Sequence, residues 1–340
     1  MNRNVFLVTA LLFLIVSIGA VSAEDINQTD DSLHIDSSDA LSVGQVKSFA
    51  NLSKDLDDSP QDHIDIVSDY KFNDQTDKGM KRAYDFTIAE GGSFTINGNN
   101  HIIDADNKAG VFKFVNGTVI INNLKITNAN SSSIILYNCE LRTNNVTFEN
   151  NNDPGEGSAI YAQNSNYYSS HDRFINNHAN NGASIYSHRS IVDIDNSTFI
   201  SSKAVHWSLI YAYESIMTVR NTVFANMSSK YATAIYSEKN KLTVLNSKFI
   251  NLFANSTAGA IGCKECTSVT IDGCSFINVT SSKNAGAVYA DINADNISSK
   301  YSVTISDSLF ENCSSNFGGA YLQLGGKLNL ADSKFANNAA

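Results

Sequence analysis

From residue 141 onward, apolar positions recur in three short alternating sets. The first centres on a Phe followed two residues later by Asn: Phe148-Glu149-Asn150, Phe174-Ile175-Asn176, Phe224-Ala225-Asn226, Phe249-Ile250-Asn251, Phe276-Ile277-Asn278, Phe310-Glu311-Asn312 and Phe335-Ala336-Asn337, with Phe199 in the same series and Ser201 in place of Asn. The steps between successive Phe are 26, 25, 25, 25, 27, 34 and 25 residues. Between them runs a second set, Ala159-Ile160-Tyr161, Ser184-Ile185-Tyr186, Leu209-Ile210-Tyr211, Ala234-Ile235-Tyr236, Ala260-Ile261-Gly262 and Ala287-Val288-Tyr289, closed less regularly by Gly319-Ala320-Tyr321. The third set lies seven and five positions before most Phe, as in Val192 with Ile194, Met217 with Val219 and Leu242 with Val244.

Apolar and polar residues alternate within each set, the period of a β-strand, and Asn, Gly and Ser occupy the joints where the chain turns. A period in the twenties, made of strands without a helical pattern, predicts a solenoid. Three short strands per coil of about 25 residues, stacked coil on coil, give an all-β right-handed parallel β-helix with Phe packed on Phe inside. Charge offers a second test, because in-register coils bring residues one period apart within about 4.8 Å. Four residues after each core Ile stand Arg189, Glu214, Lys239 and Glu265, alternating in sign, and one position earlier Glu238, Lys264 and Asp291 alternate again. The Asn after each Phe suits left-handed backbone and can hydrogen-bond along a column of stacked amides.

Upstream the pattern loosens but continues. Phe94-Thr95-Ile96-Asn97 and Ile102-Ile103-Asp104 read as two strands about a turn, and Val119 to Asn128 as a further coil with Ile126 where Phe later sits. Phe49, Leu52 and Leu56 have helical spacing after Ser48, a candidate N-cap, and before Pro60. A short capping helix there covers the open edges of the first coil.

Composition and charge add the organisation around this body. Arg3 followed by the apolar stretch Val5 to Ile18, with Val21 and Ala23 before Glu24, predicts a signal peptide over residues 1–23 cleaved between Ala23 and Glu24; an uncleaved anchor is the alternative. No later segment is long and apolar enough to span a membrane, so none is expected in the mature chain. Residues 24–90 hold 16 acids against 6 bases, and residues 24–40 read as an acidic flexible lead. Residues 41–93 then form the N-terminal cap and first coil, and 94–340 the repeats. The formal charge of -10, with no stripe of Lys or Arg, argues against a nucleic-acid partner.

These motifs resemble known repeats. Phe-x-Asn-Asn followed some ten residues later by a segment such as Ser158-Ala159-Ile160-Tyr161 is similar to the right-handed parallel β-helix repeats of polymorphic outer-membrane proteins. The layout of leader, acidic lead, Asp69-Tyr70-Lys71-Phe72, Ile96-Asn97-Gly98-Asn99-Asn100-His101 and repeats resembles the adhesin-like surface proteins of methanogenic archaea. The resemblance covers roughly residues 41–340. It implies a non-enzymatic role at the cell surface or in the envelope, with attachment to cells or glycans, and carries no catalytic motif. Chains of this kind continue into further repeats or an anchor, so truncation after Ala340 is the expectation, and the 34-residue step predicts a protruding loop around Asp291 to Tyr301.

Pectin-degrading enzymes share the architecture, but fold alone does not confer activity. The best catalytic candidates are Asp193 and Asp195, two apart on one strand and about 7 Å from each other, a separation that suits an inverting glycosidase. Arg220, one period beyond Asp195, makes an ion pair the competing reading. A polysaccharide lyase or hydrolase therefore stands as the alternative function, and a structural spacer carrying a further domain as another. His171, His178, His188 and His206 occupy different repeat positions and do not converge on a metal, and neither a metal nor another cofactor is expected. Of five Cys, Cys263 and Cys266 have a zinc, redox or disulfide spacing and no matching second pair, which leaves a disulfide in an exported protein as a candidate, while Cys274 reads as a small core filler. Sequons are frequent, and those outside the Asn column, such as Asn27 and Asn296, are the better glycosylation candidates. Outward Tyr161, Tyr186, Tyr211 and Tyr236 form a candidate aromatic stripe for sugar rings, or merely shield the strands.

Overall fold

A computed structural model describes residues 46–292 and 301–340. The expected leader and acidic lead, the cleavage residues Ala23 and Glu24, Asn27, Asn296 and most of the expected protruding loop lie outside them. Within them the chain winds as a parallel β-helix of the expected right-handed type, with three sheets running its length. The first sheet has ten strands, from Arg82–Thr87 to Tyr321–Leu324; the second has eleven, from His63–Asp65 to Lys327–Leu330; the third has fourteen and carries the Phe column, from Tyr70–Lys71 to Lys334–Ala336. All the pairing is parallel, and it keeps register except at one irregularity between Asp153 and Glu156, with Phe174 opposite Phe199 and Ile185 opposite Ile210.

Alternation sends every second side chain inward, and the repeat places like on like. Phe148, Phe174, Phe199, Phe224, Phe249, Phe276 and Phe310 are fully buried. Their ring centroids are 5.2, 4.4, 4.8, 5.0, 4.7 and 4.7 Å apart from coil to coil. Ile126 fills the same column one coil earlier, opposite Phe148. One expectation needs correction at the far end: Tyr321, not Ala320, pairs with Val288, so it occupies the inward Ile position and Leu322 stands opposite Tyr289. In the last coil Leu328, Leu330 and Phe335 are exposed.

Each coil turns three corners, and a residue with positive φ stands at each. The column after the Phe strands comprises Asn128, Asn150, Asn176, Ser201, Asn226, Asn251, Asn278, Asn312 and Asn337. A second column contains Asn123, Asn145, His171, Asn196, Asn221, Asn246 and Gly273, and a third Asn116, Asn138, Asn164, Arg189, Glu214, Lys239 and Glu265. Asn tolerates this conformation better than most L-residues, which accounts for much of a composition with 42 Asn. Amides of the first column bond one another: Asn251 donates to Asn226 at 3.1 Å, Asn278 to Asn251 at 3.1 Å and Asn312 to Asn278 at 3.3 Å.

The residue after a corner turns inward, and where it is polar its side chain accepts a backbone N–H from the preceding coil, whereas Met227, Leu252 and Val279 are apolar. Ser165 N donates to Ser190 Oγ and Ser190 N to Ser215 Oγ, both at 3.1 Å; Thr222 N donates to Ser247 Oγ at 3.2 Å. Buried main-chain donors at the bends are thereby satisfied. Asp172 is the exception in chemistry, a carboxylate where the column otherwise carries Ser197, Thr222, Ser247 and Cys274. It accepts from Val146 N at 2.8 Å, from Ser169 Oγ at 2.7 Å and from Thr143 Oγ1, which also contacts the buried Tyr167 hydroxyl at 3.0 Å. Burial raises its pKa to about 6.

The helix spans Phe49–Asp57, with Ser48 as N-cap and Asn51 completing a capping box. Asp77 accepts from Phe49 N and Ala50 N at 2.9 Å each, so a distant carboxylate holds the helix N-terminus. Phe49, Leu52 and Leu56 are buried against the start of the solenoid, Phe49 meeting Phe72 edge-on at 5.6 Å. No helix among the described residues is long and apolar enough to cross a membrane.

Candidate functional site

The acidic pair on the second sheet is neutralised by its neighbour. Asp193 and Asp195 alternate outward on Ile191–Asp195, and the next strand, Ile216–Arg220, places Arg220 opposite Asp195. The guanidinium reaches diagonally: it lies 2.9 Å from Asp193 Oδ1 and 3.5 Å from Asp195 Oδ2. Arg220 thus meets Asp195, its register partner as the period predicts, and reaches Asp193 more closely. Asn221 donates to Asp195 Oδ1 at 2.8 Å. Both carboxylates are engaged from the same coil, and no second acid converges on them from the strands in register, where Tyr168 and Thr218 flank Asp193.

The alternating column of charges is also only partly paired. Arg189 meets Glu214 at 2.9 Å, but Lys239 donates to the Tyr213 hydroxyl at 3.1 Å instead of reaching Glu214. In the adjacent column Lys264 and Glu238 are 3.0 Å apart. Cys263 and Cys266 form a disulfide and are fully buried, which removes them as metal ligands. Cys139, Cys274 and Cys313 are buried free thiols; burial pushes the first two up to about 12 and the third to about 11, so they remain protonated. Among the described residues no group of three or more His, Cys, Asp or Glu is placed to hold a metal ion.

The outward tyrosines stack on each other. From Tyr161 through Tyr186 and Tyr211 to Tyr236 the ring centroids are 5.3, 5.4 and 5.7 Å apart, with interplanar angles of 8°, 18° and 5°. Tyr236 is buried, and Trp207 packs over it at 4.6 Å while stacking on Tyr231 at 4.5 Å. Beyond it the column drops to Gly262, where an added Cβ would lie 2.8 Å from Tyr236 Cδ2. Both faces of Tyr186 and Tyr211 are therefore occupied by neighbouring rings, and the stripe is no continuous platform for sugar rings. Burial raises the phenols of Tyr161, Tyr211 and Tyr236, and that of Tyr186 to about 12. They act as neutral donors, Tyr211 to Glu238 Oε2 at 3.2 Å.

The stack ends at Tyr161, and there the surface opens. Tyr137 meets Tyr161 edge-on, 6.1 Å away and inclined by 60°, beside a groove of about 450 Å³. Ser132, Ile135, Tyr137, Asp153, Glu156 and Asn181 contribute to its lining. The groove arises from the 26-residue step between Phe148 and Phe174. The extra residue falls in Asn152–Glu156, which pairs with His178–Asn181 and changes register between Asp153 and Glu156. Pro154 lacks an N–H and suits such an irregularity. Gly155 N donates to Asp153 Oδ1 at 2.6 Å, Ser132 Oγ to Asp153 Oδ2 at 3.0 Å and Asn181 Nδ2 to Glu156 Oε1 at 3.3 Å. Of these residues the sequence reading singled out only Tyr161; a proline in a solenoid that has two, at the coil one residue over length, was the available signal.

No protein-family model, curated protein or solved structure matches this chain.

Proposed function

We propose that this chain is a non-enzymatic extracellular protein of the adhesin-like or envelope kind, secreted to the cell surface, whose rigid β-helix presents the groove beside Tyr161 to glycans. The observation that carries this reading is the groove, where Tyr161, the last ring of its stack, and the edge-on Tyr137 lie beside hydroxyl, amide and carboxylate groups. A saccharide needs an apolar plate for its C–H face and polar groups for its hydroxyls. The leader and the resemblance of the repeats to adhesin-like surface proteins support the secreted, cell-surface setting. The Arg220 contacts of Asp193 and Asp195 favour an ion pair over an acid–base pair at that place.

Secretion is tested by N-terminal sequencing of the exported protein, expected to begin at Glu24. Attachment is tested by binding the full chain to a panel of glycans and to cells, with Tyr161→Ala expected to lower binding about tenfold or more, a loss of about 1.4 kcal/mol. Failure to bind any glycan or cell overturns the attachment reading. Cleavage of a polyuronate or cell-wall glycan that is abolished by Asp193→Asn overturns the non-enzymatic one.

A further inference from the structure

The chemistry of the groove narrows the class of glycan, and this step rests on the attachment reading. Several outward acids elsewhere on the coils meet a cation, Glu149 with Lys125 at 2.7 Å, Glu140 with Arg142 at 2.8 Å, Glu214 with Arg189 at 2.9 Å and Glu238 with Lys264 at 3.0 Å, while Asp272 accepts from the Ser306 hydroxyl at 2.6 Å. Asp153 and Glu156 have no cationic partner among the described residues. Their hydrogen bonds come from the backbone of Gly155, the hydroxyl of Ser132, the amide of Asn181 and the phenol of Tyr186. Neutral donors fix the orientation of a carboxylate and leave its charge in place. Lys113 sits 5.7 Å from the Tyr137 ring centroid but does not line the groove.

One amide acceptor beside the groove has no donor. Asn181 Oδ1 is buried and accepts no hydrogen bond, while the Nδ2 of the same side chain is already given to Glu156. Asn180 Nδ2 is given to Pro154 O. Two carboxylates without a cation favour a ligand rich in donors and positively charged, and they repel an anionic one. The aromatic wall of Tyr137 and Tyr161 asks for a ring with an apolar face. We infer that the groove binds an amino sugar bearing a free, protonated amine, with the ammonium on Asp153 and Glu156 and the sugar ring against Tyr161, and that it rejects uronates.

The test is calorimetric titration of the full exported chain with three probes: a glucosamine tetrasaccharide, its fully N-acetylated counterpart and an oligogalacturonate, at mildly acidic pH where the amine is protonated. The glucosamine oligomer is expected to bind about tenfold tighter than the acetylated one, a ratio that shrinks as salt rises from about 20 mM to about 300 mM. The galacturonate is expected not to bind. Asp153→Asn combined with Glu156→Gln should remove the preference and leave affinity for the acetylated sugar unchanged; Tyr161→Ala should weaken both sugars. Circular dichroism and melting of each variant confirm that the coil is intact. Equal affinity for the two glucosamine sugars, a preference that survives the double substitution, or binding that appears only with added Ca²⁺ overturns the amine inference and leaves glycan attachment standing. No binding by any probe, together with a blank glycan panel, overturns both.

Discussion

Inside the third sheet, seven coil-to-coil Phe pairs from Phe148 to Phe335 stack at 4.4 to 5.2 Å; outside the first sheet, Tyr161 to Tyr236 stack at 5.3 to 5.7 Å. Both columns follow from the same in-register repeat. From Phe148 to Phe310 the interior rings are closed in on every side, so each removes its whole surface from water. The exterior rings give their faces to one another and keep an edge in solvent, which makes them a cover for the strands beneath. Stacking by itself leaves no ring face for a ligand, which is why the proposed glycan site lies at Tyr161, where the ring column gives way to Ile135.

The comparison breaks most visibly at matched positions. Phe224→Ala is expected to cost about 3–5 kcal/mol, whereas Tyr211→Ala, losing a half-buried ring and its stacking, should cost about 1–1.5 kcal/mol. Hydrogen exchange of the amides of the two flanking coils measures both on the same scale. Equal costs would mean that the outer column is part of the core.

The polar inclusion at Asp172 sharpens the contrast between wet and dry interiors. Its folded pKa of about 6 exceeds the ordinary 3.8, so the folded chain holds this proton more tightly than the unfolded one. The contribution to stability is present in full below pH 3.8 and is lost as pH rises through about 6. Asp172→Asn keeps an acceptor for Val146 N and turns the other oxygen into a donor to Thr143 and Ser169. It is expected to flatten the dependence of the urea midpoint on pH between 4 and 6.5 and to stabilise the chain above that range. An unchanged pH profile would place the proton elsewhere.

At the corners, Asn251→Ala should cost about 1–2 kcal/mol for its left-handed backbone, and Asn251→Gly less than that, because glycine restores the conformation but not the amide ladder. Urea midpoints of the two variants separate backbone from ladder. The smallest effect is expected at Arg220→Gln, about 1 kcal/mol or less, as for other exposed ion pairs, and it should fade in high salt.

The period and the inner columns were legible because Phe recurs every 25 or so residues and nothing else competes for the interior. The corners were legible where Asn follows Phe. The second column was within reach as well, since Asn145, Asn196, Asn221 and Asn246 each stand three residues before a Phe, but the third changes residue type from coil to coil, Asn164 giving way to Arg189, Glu214 and Lys239, so no single letter marks it. Asp172 was within reach, since it lies two residues before its Phe in a column whose other members include Ser247, Cys274 and Ser308. The groove was not, because its residues come from three coils and meet only when a one-residue excess at Pro154-Gly155 pushes the strand out of register.

The hydroxyl hooks at the bends have a consequence for heredity. At two of its three corners each coil offers the coil after it a backbone donor and receives a polar side-chain acceptor. Excising residues 200–224 would leave Phe199 followed by Ala225, with Ser197 N meeting Ser247 in place of Thr222 and Ser190 N meeting Asn240 in place of Ser215, while Asn177 N would lose Ser202 and face Met227. The length of this rod is thus an inheritable copy number, open to gain or loss of whole units by recombination with adjustment at a single joint.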